Sequence, residues 1–142
     1  MVSFLLYSLL SFSCVLDKQA IRQSDREQVM LQTIAQQYWD GVRRGYTQEA
    51  SMFVKDPKTR ALYEGQLAEV GARVRYTDAR VLHAEVSDES SEKNPQWLRE
   101  GTVMVRTEAY GLNSVLEVKN VEQHWQRDIE GWWLKVDLEP VE

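Results

Sequence analysis

Cysteine and histidine are nearly missing from this 142-residue chain: the sole thiol is Cys14 and the imidazoles are His83 and His124. A lone cysteine cannot close an internal disulfide. Without a C-x-x-C or a clustered Cys/His spacing, no structural zinc centre is expected, and neither is any other metal or a cofactor. Basic charge is also in deficit, with 17 Lys and Arg against 22 Asp and Glu and a net charge of −5. No segment gathers cations beyond short pairs such as Arg43-Arg44, so a phosphate-tracking surface and a nucleic-acid partner are disfavoured. The sequence contains no G-x-S-x-G nucleophile turn and no phosphate-cradling glycine loop. What it does contain is 43% hydrophobic residues, five tryptophans and six tyrosines. That is the balance of one folded domain whose core must hold it without cross-links.

The longest run without a charge is Met1 to Leu16. As a helix it would reach roughly 24 Å, short of the roughly 30 Å hydrocarbon core that a spanning helix crosses. A secretory leader fits this length better. In "LLSFSCVLD" the small residues Ser11 and Ser13 make a small-x-small cleavage pattern immediately before Cys14. The stretch resembles a bacterial lipobox. That resemblance implies transfer of diacylglycerol to the Cys14 sulfur, removal of residues 1–13 as a signal peptide, and acylation of the new amino terminus. The chain would then be a lipoprotein of the bacterial cell envelope, held on the membrane through its lipidated end and facing the periplasm. Val15 after the cysteine is compatible with passage to the outer membrane. An ordinary cleaved signal peptide, an uncleaved amphipathic anchor and a first helix packed into the core are the alternatives. Residues 14–24, ending in "DKQAIRQS", are expected to form a tether.

From residue 25 the pattern becomes that of a domain reaching residue 142. Ser24 and Glu27 have the S-x-x-E spacing of a capping box at a helix start. Val29, Leu31, Ile34, Ala35, Tyr38 and Val42 predict one apolar helical stripe, with Gly45 as its stop. Tyr46 to Val54 predicts a short helical segment, and Asp56-Pro57 the cap and first position of a third helix. That helix carries the stripe Leu62, Tyr63, Leu67 and Val70 and is expected to stop at Gly71. The period then falls to two. Val74, Tyr76, Leu82, Ala84 and Val86 are expected on one face of a strand, with Arg73, Arg75, Thr77 and Glu85 mostly on the other. A polar loop over residues 87–95, strands over 101–110 and 114–127, a turn at 128–131 and a final strand over 132–138 complete the chain. Helices followed by strands predict an α+β fold, with the N-terminal helices packed on a curved antiparallel sheet of about four strands.

The segments "YWDGVRRGY", "RALYEGQL" and the closing hairpin "HWQRDIEGWWLKV", taken in this order, resemble the NTF2-like superfamily. The resemblance implies a cone enclosing a pocket. Its relatives include isomerases of the ketosteroid type and dehydratases, non-catalytic binding modules, and assembly domains of envelope-spanning secretion machines. It also implies a homodimer through the outer face of the sheet.

An isomerase needs a base and an acid donor facing one apolar cavity. Tyr76 and Asp78 are the candidate pair, since they share a face if their strand is regular. Tyr38, Tyr63 and His124 are further candidates. The plainer alternative makes Tyr76 a core residue and Asp78 a partner of Arg80. His83 with Glu85, and Glu122 with His124, could approach a metal only if their strands were neighbours, and ordinary solvated surface is the expectation. Trp132 and Trp133 must point to opposite faces, which makes Trp133 a candidate contact together with Trp39 and Trp97. No reacting set emerges. The expected function is a membrane-anchored, non-catalytic binding or assembly module for a protein partner or a small apolar ligand. A small-molecule isomerase or dehydratase and a secretion-machine component are the alternatives.

Overall fold

The computed structural model describes residues 25–87 and 98–138. Cys14, the tether, the Ser24 half of the capping box and Trp97 lie outside the described residues. Helix α1 occupies residues 25–44 and stops where expected. Gly45 takes φ +77°, and the Gly45 and Tyr46 amides donate to the carbonyls of Val42 and Gly41 at 3.1 and 2.9 Å. This paired closure needs a left-handed residue, which glycine adopts without a Cβ penalty. Helix α2 is Thr47–Ser51. Helix α3, Pro57–Arg73, starts as its sequence predicts, with Asp56 Oδ2 accepting from the Thr59 amide at 2.8 Å and proline in the first turn. It does not stop at Gly71. That residue keeps a negative φ and the Val74 amide still reaches the Val70 carbonyl at 2.8 Å, so the helix runs on to Arg73.

The sheet contains β1 (Arg75–Val86), β2 (Arg99–Tyr110), β3 (Leu116–Arg127) and β4 (Trp132–Leu134), antiparallel in the order β1-β2-β3-β4. Helices packed on this open four-stranded sheet make an α+β fold. Strand β2 alternates regularly: Gly101, Val103, Val105, Thr107 and Ala109 are buried on the helix-covered face. Strand β1 does not. Its register shifts between Tyr76 and Asp78 and again between Val81 and His83, leaving Thr77 and Leu82 as extra residues. Each extra residue exchanges the faces of everything beyond it. The inner face of β1 is therefore Tyr76, Ala79, Val81, Ala84 and Val86, while Leu82, expected inside, is 48% exposed. The last strand is shorter than expected, three residues in place of seven.

Leu31, Ala35, Tyr38 and Trp39 of α1 pack on the inner face of the sheet, joined by Val103, Val105, Trp125, Trp132 and Leu134. Val29, placed in that stripe by its spacing, stands outside it at 63% exposure. Helix α3 contributes only Tyr63 and Leu67 to the packing, and Leu62 and Val70 remain exposed. Each sheet edge is covered in part. Gln36 bonds the Ala79 carbonyl and the Val81 amide, each at 2.9 Å, and Gln28 bonds the Ala84 carbonyl at 2.8 Å. Side-chain amides of α1 thus satisfy the outer rim of β1, where another strand could otherwise add. On the far edge the Leu134 amide donates to the Phe53 carbonyl at 2.8 Å. Glu27 turns to Arg127 of β3 and forms a largely buried ion pair with it.

Gly101 is where α1 comes closest to the sheet: an added Cβ would run into Leu31 Cδ2 and come within 3.0 Å of the Trp132 ring. Gly101→Ala should therefore lower the unfolding free energy by about 1–3 kcal/mol, read from urea denaturation.

Candidate functional site

Between α1, α3 and the β1 and β3 strands lies a cavity of about 280 Å³. Adjacent positions of α1 supply Tyr38 and Trp39, with Val42 one turn on. Helix α3 supplies Tyr63, Leu67 and Val70, whose spacing stacks them along one side. Strand β1 contributes Tyr76, and β3 contributes Val121 and Gln123 from alternate positions of its inner face. The cavity exists because α3 touches the core through so few side chains.

Its polar groups form a directed chain. The Trp39 indole donates from Nε1 to Gln123 Oε1 at 2.9 Å. An indole can only donate, so the Gln123 carbonyl must face it and the amide –NH₂ is left to donate elsewhere. Gln123 bonds Tyr38, and the Tyr38 and Tyr63 hydroxyls are hydrogen-bonded to each other. Burial pushes the Tyr38 phenol well above its ordinary range, the neighbouring Tyr63 adds to this, and the Gln123 bond opposes it. Burial also raises Tyr63 and Tyr76, and the Lys119 ammonium draws Tyr76 part of the way back. All three phenols are consequently neutral at physiological pH: they can donate or accept hydrogen bonds, and none is poised as a base.

The Tyr76–Asp78 pair is not assembled. The extra residue Thr77 turns Tyr76 inward and Asp78 outward, where Asp78 lies opposite Glu108 and its carboxylate is 3.7 Å from the Arg80 guanidinium. The same-face expectation held only for a regular strand. Of the other candidates, Tyr38 and Tyr63 line the cavity, whereas His124 stands on the outer face 3.3 Å from Glu122. Among the described residues no carboxylate or imidazole lines the cavity.

The two histidine pairs also stay apart. His83 meets Glu85 at 2.8 Å on β1, but β2 lies between β1 and β3, with Met104 opposite both His83 and Glu122 and Thr102 opposite both Glu85 and His124. Two strand spacings, roughly 9.6 Å, separate the pairs. Among the described residues no group of three or more His, Cys, Asp or Glu is placed to hold a metal ion.

The tryptophans divide by environment. Trp39 is 5% exposed and belongs to the cavity wall. Trp133 points outward, as its adjacency to buried Trp132 requires, yet it is only half-exposed. Its Nε1 donates to Asp128 Oδ1 at 3.1 Å and Lys55 Nζ lies 5.8 Å from its ring centroid. Asp128 organises this corner, also accepting from the amides of Glu130 and Gly131 at 2.8 and 3.2 Å and pairing with Lys55. Sequence reasoning did not single out Asp128 or Gln123. The D-x-x-G spacing of "DIEG" carries a signal for the first, since an aspartate commonly caps the backbone of its own turn. Nothing local marks Gln123, whose importance comes from partners on α1.

The bond from Lys55, followed by those from Glu130, Trp133 and Gly131, holds the Asp128 carboxyl at about 2. An ordinary aspartate titrates near 3.9, so the stability this group contributes is present above that pH and is lost as pH falls toward 2. Thermal denaturation between about pH 4 and pH 2 should show a flatter loss of stability for Asp128→Asn than for the parent. No helix among the described residues is long and apolar enough to cross a membrane. Comparison of the chain with protein-family models, with curated proteins and with solved structures returns no match.

Proposed function

We propose that this chain is a non-catalytic binding module with an NTF2-like cone, tethered to the bacterial envelope through a lipidated Cys14, whose cavity takes a small, mostly apolar molecule. The observation that carries this is the character of the cavity wall: aromatic and aliphatic side chains, with neutral hydroxyl and amide groups as the polar contacts and, among the described residues, no carboxylate or imidazole. Such a wall favours transfer of apolar surface from water and offers hydrogen bonds that orient a ligand. An isomerase would need a base in the same space, and Asp78 faces the other side of the sheet. Support for the cone comes from the order of helices and strands together with the "DIEGWW" hairpin. Support for the anchor comes from the leader pattern ending at Cys14.

Tryptophan fluorescence tests the cavity, because Trp39 forms part of its wall. Titration with 1-naphthol should give a saturable change that Val121→Trp abolishes by filling the space and that Asp78→Asn leaves intact. A response unaffected by Val121→Trp, or lost in Asp78→Asn, overturns the reading. Mass spectrometry of protein from the membrane fraction should find Cys14 carrying diacylglycerol at a new amino terminus. An unmodified Cys14 behind an intact Met1 overturns the anchor.

A further inference from the structure

The inner face of β3 changes character along its length. Alternate residues read Glu117, Lys119, Val121, Gln123 and Trp125, so a strand that is core at one end presents an ion pair at the other, on the same face. Beside that pair lies a second hollow of about 480 Å³, which includes Arg73 at the end of α3 and shares Tyr76 and Val121 with the cavity. Its floor is low because β2 places only Thr107 and Ala109 there, 4% and 9% exposed, between the taller Tyr76, Lys119 and Glu117. The two hollows therefore adjoin along one strand face. One end is uncharged and aromatic, and the other holds two cations and one anion of its own, in a protein whose net charge is −5. From Gln123 to Lys119 the strand rises roughly 14 Å.

Lys119 Nζ uses one of its three donors on Glu117, at 2.8 Å, and both side chains are more than half exposed at 67% and 53%. A pair so open to solvent is weak, and the remaining donors are free to meet a second carboxylate. Arg73 has its own partner, Glu69, only at 3.9 Å. We propose that the site takes an anionic amphiphile of the fatty-carboxylate class, its apolar chain in the tyrosine-lined cavity and its carboxylate at Lys119 and Arg73. The proposal rests on the cavity being a ligand site and adds the class of the ligand and its direction of entry. Glu117 sets the selectivity: it competes for Lys119 and holds the site short of indiscriminate anion binding.

Isothermal titration with three probes of equal chain length, decanoate below its micellar concentration, decanol and decyltrimethylammonium, separates the two levels of the claim. Decanoate should bind tightest, and added salt should weaken it while leaving decanol unchanged. Lys119→Gln should weaken decanoate about three- to tenfold with decanol held within about twofold, and Glu117→Gln should tighten decanoate about two- to fivefold by releasing Lys119. Both substitutions are at exposed positions, and unchanged thermal unfolding confirms that each variant folds. If decanol binds as well as decanoate and neither variant moves decanoate, the anionic head group is refuted and the cavity stands. A preference for decyltrimethylammonium refutes the head group too, with Glu117 as the dominant charge. If none of the probes binds, or Val121→Trp fails to block decanol, the cavity reading fails and takes this inference with it.

Discussion

One packing contact organises the molecule: the α1 face carrying Leu31, Ala35, Tyr38 and Trp39 pressed onto the inner face of β2 and β3. Tyr38 meets the Trp39, Phe53 and Trp125 rings edge-on at centroid distances of 5.5 to 6.0 Å, so the contact is aromatic as well as aliphatic. Large buried side chains of this kind each contribute about 1.5–3 kcal/mol when removed from water. With no disulfide available within a chain that has one cysteine, this burial supports the domain. The approach is close enough to need glycine at position 101. It also brings the α1 glutamines within reach of the β1 rim, so one helix supplies both the core and the protection of an open sheet edge.

The cavity follows from the same contact. Once α1 occupies the middle of the inner face, α3 has only the margin left, and it reaches the core through Tyr63 and Leu67. The space beneath it is lined by groups that gain from being paired: a buried indole N–H and phenol hydroxyls each cost free energy without a partner. The chain from Trp39 through Gln123 and Tyr38 to Tyr63 satisfies them in sequence, and neighbouring bonds in such a chain strengthen one another. Burial keeps the phenols protonated. A rigid, neutral, hydrogen-bonding wall of this kind is suited to recognition, and the ionic end of β3 next to it supplies charge only at the border.

The outer face has a different economy. Ion pairs such as His83 with Glu85 and Asp78 with Arg80 lie along single strands and join exposed partners. They are solvated surface pairs of small energetic weight. The corner at Asp128 differs: one carboxylate joins the turn, Trp133 and Lys55, and so ties the end of the sheet to the segment between α2 and α3.

Features that depend on a few neighbouring residues were legible in the chain itself. Gly45 ends α1, Asp56-Pro57 starts α3, and a strand over 101–110 is present as β2, because caps and regular strands are local geometry. The helices-then-strands order was enough for the α+β class. Tyr38, Tyr63 and Tyr76 are candidates by residue type alone, but their meeting in one cavity is not legible in the chain. Whether Asp78 shares a face with Tyr76, or Leu82 joins the core, is decided by an extra residue, and a residue is extra only relative to a partner strand. The same holds for Gln123, chosen by an indole 84 positions away, and for Lys119, turned inward by its register with Thr107. Sequence by itself determined the elements and their order; tertiary pairing decided which side chains face one another, because faces are properties of contacts between segments.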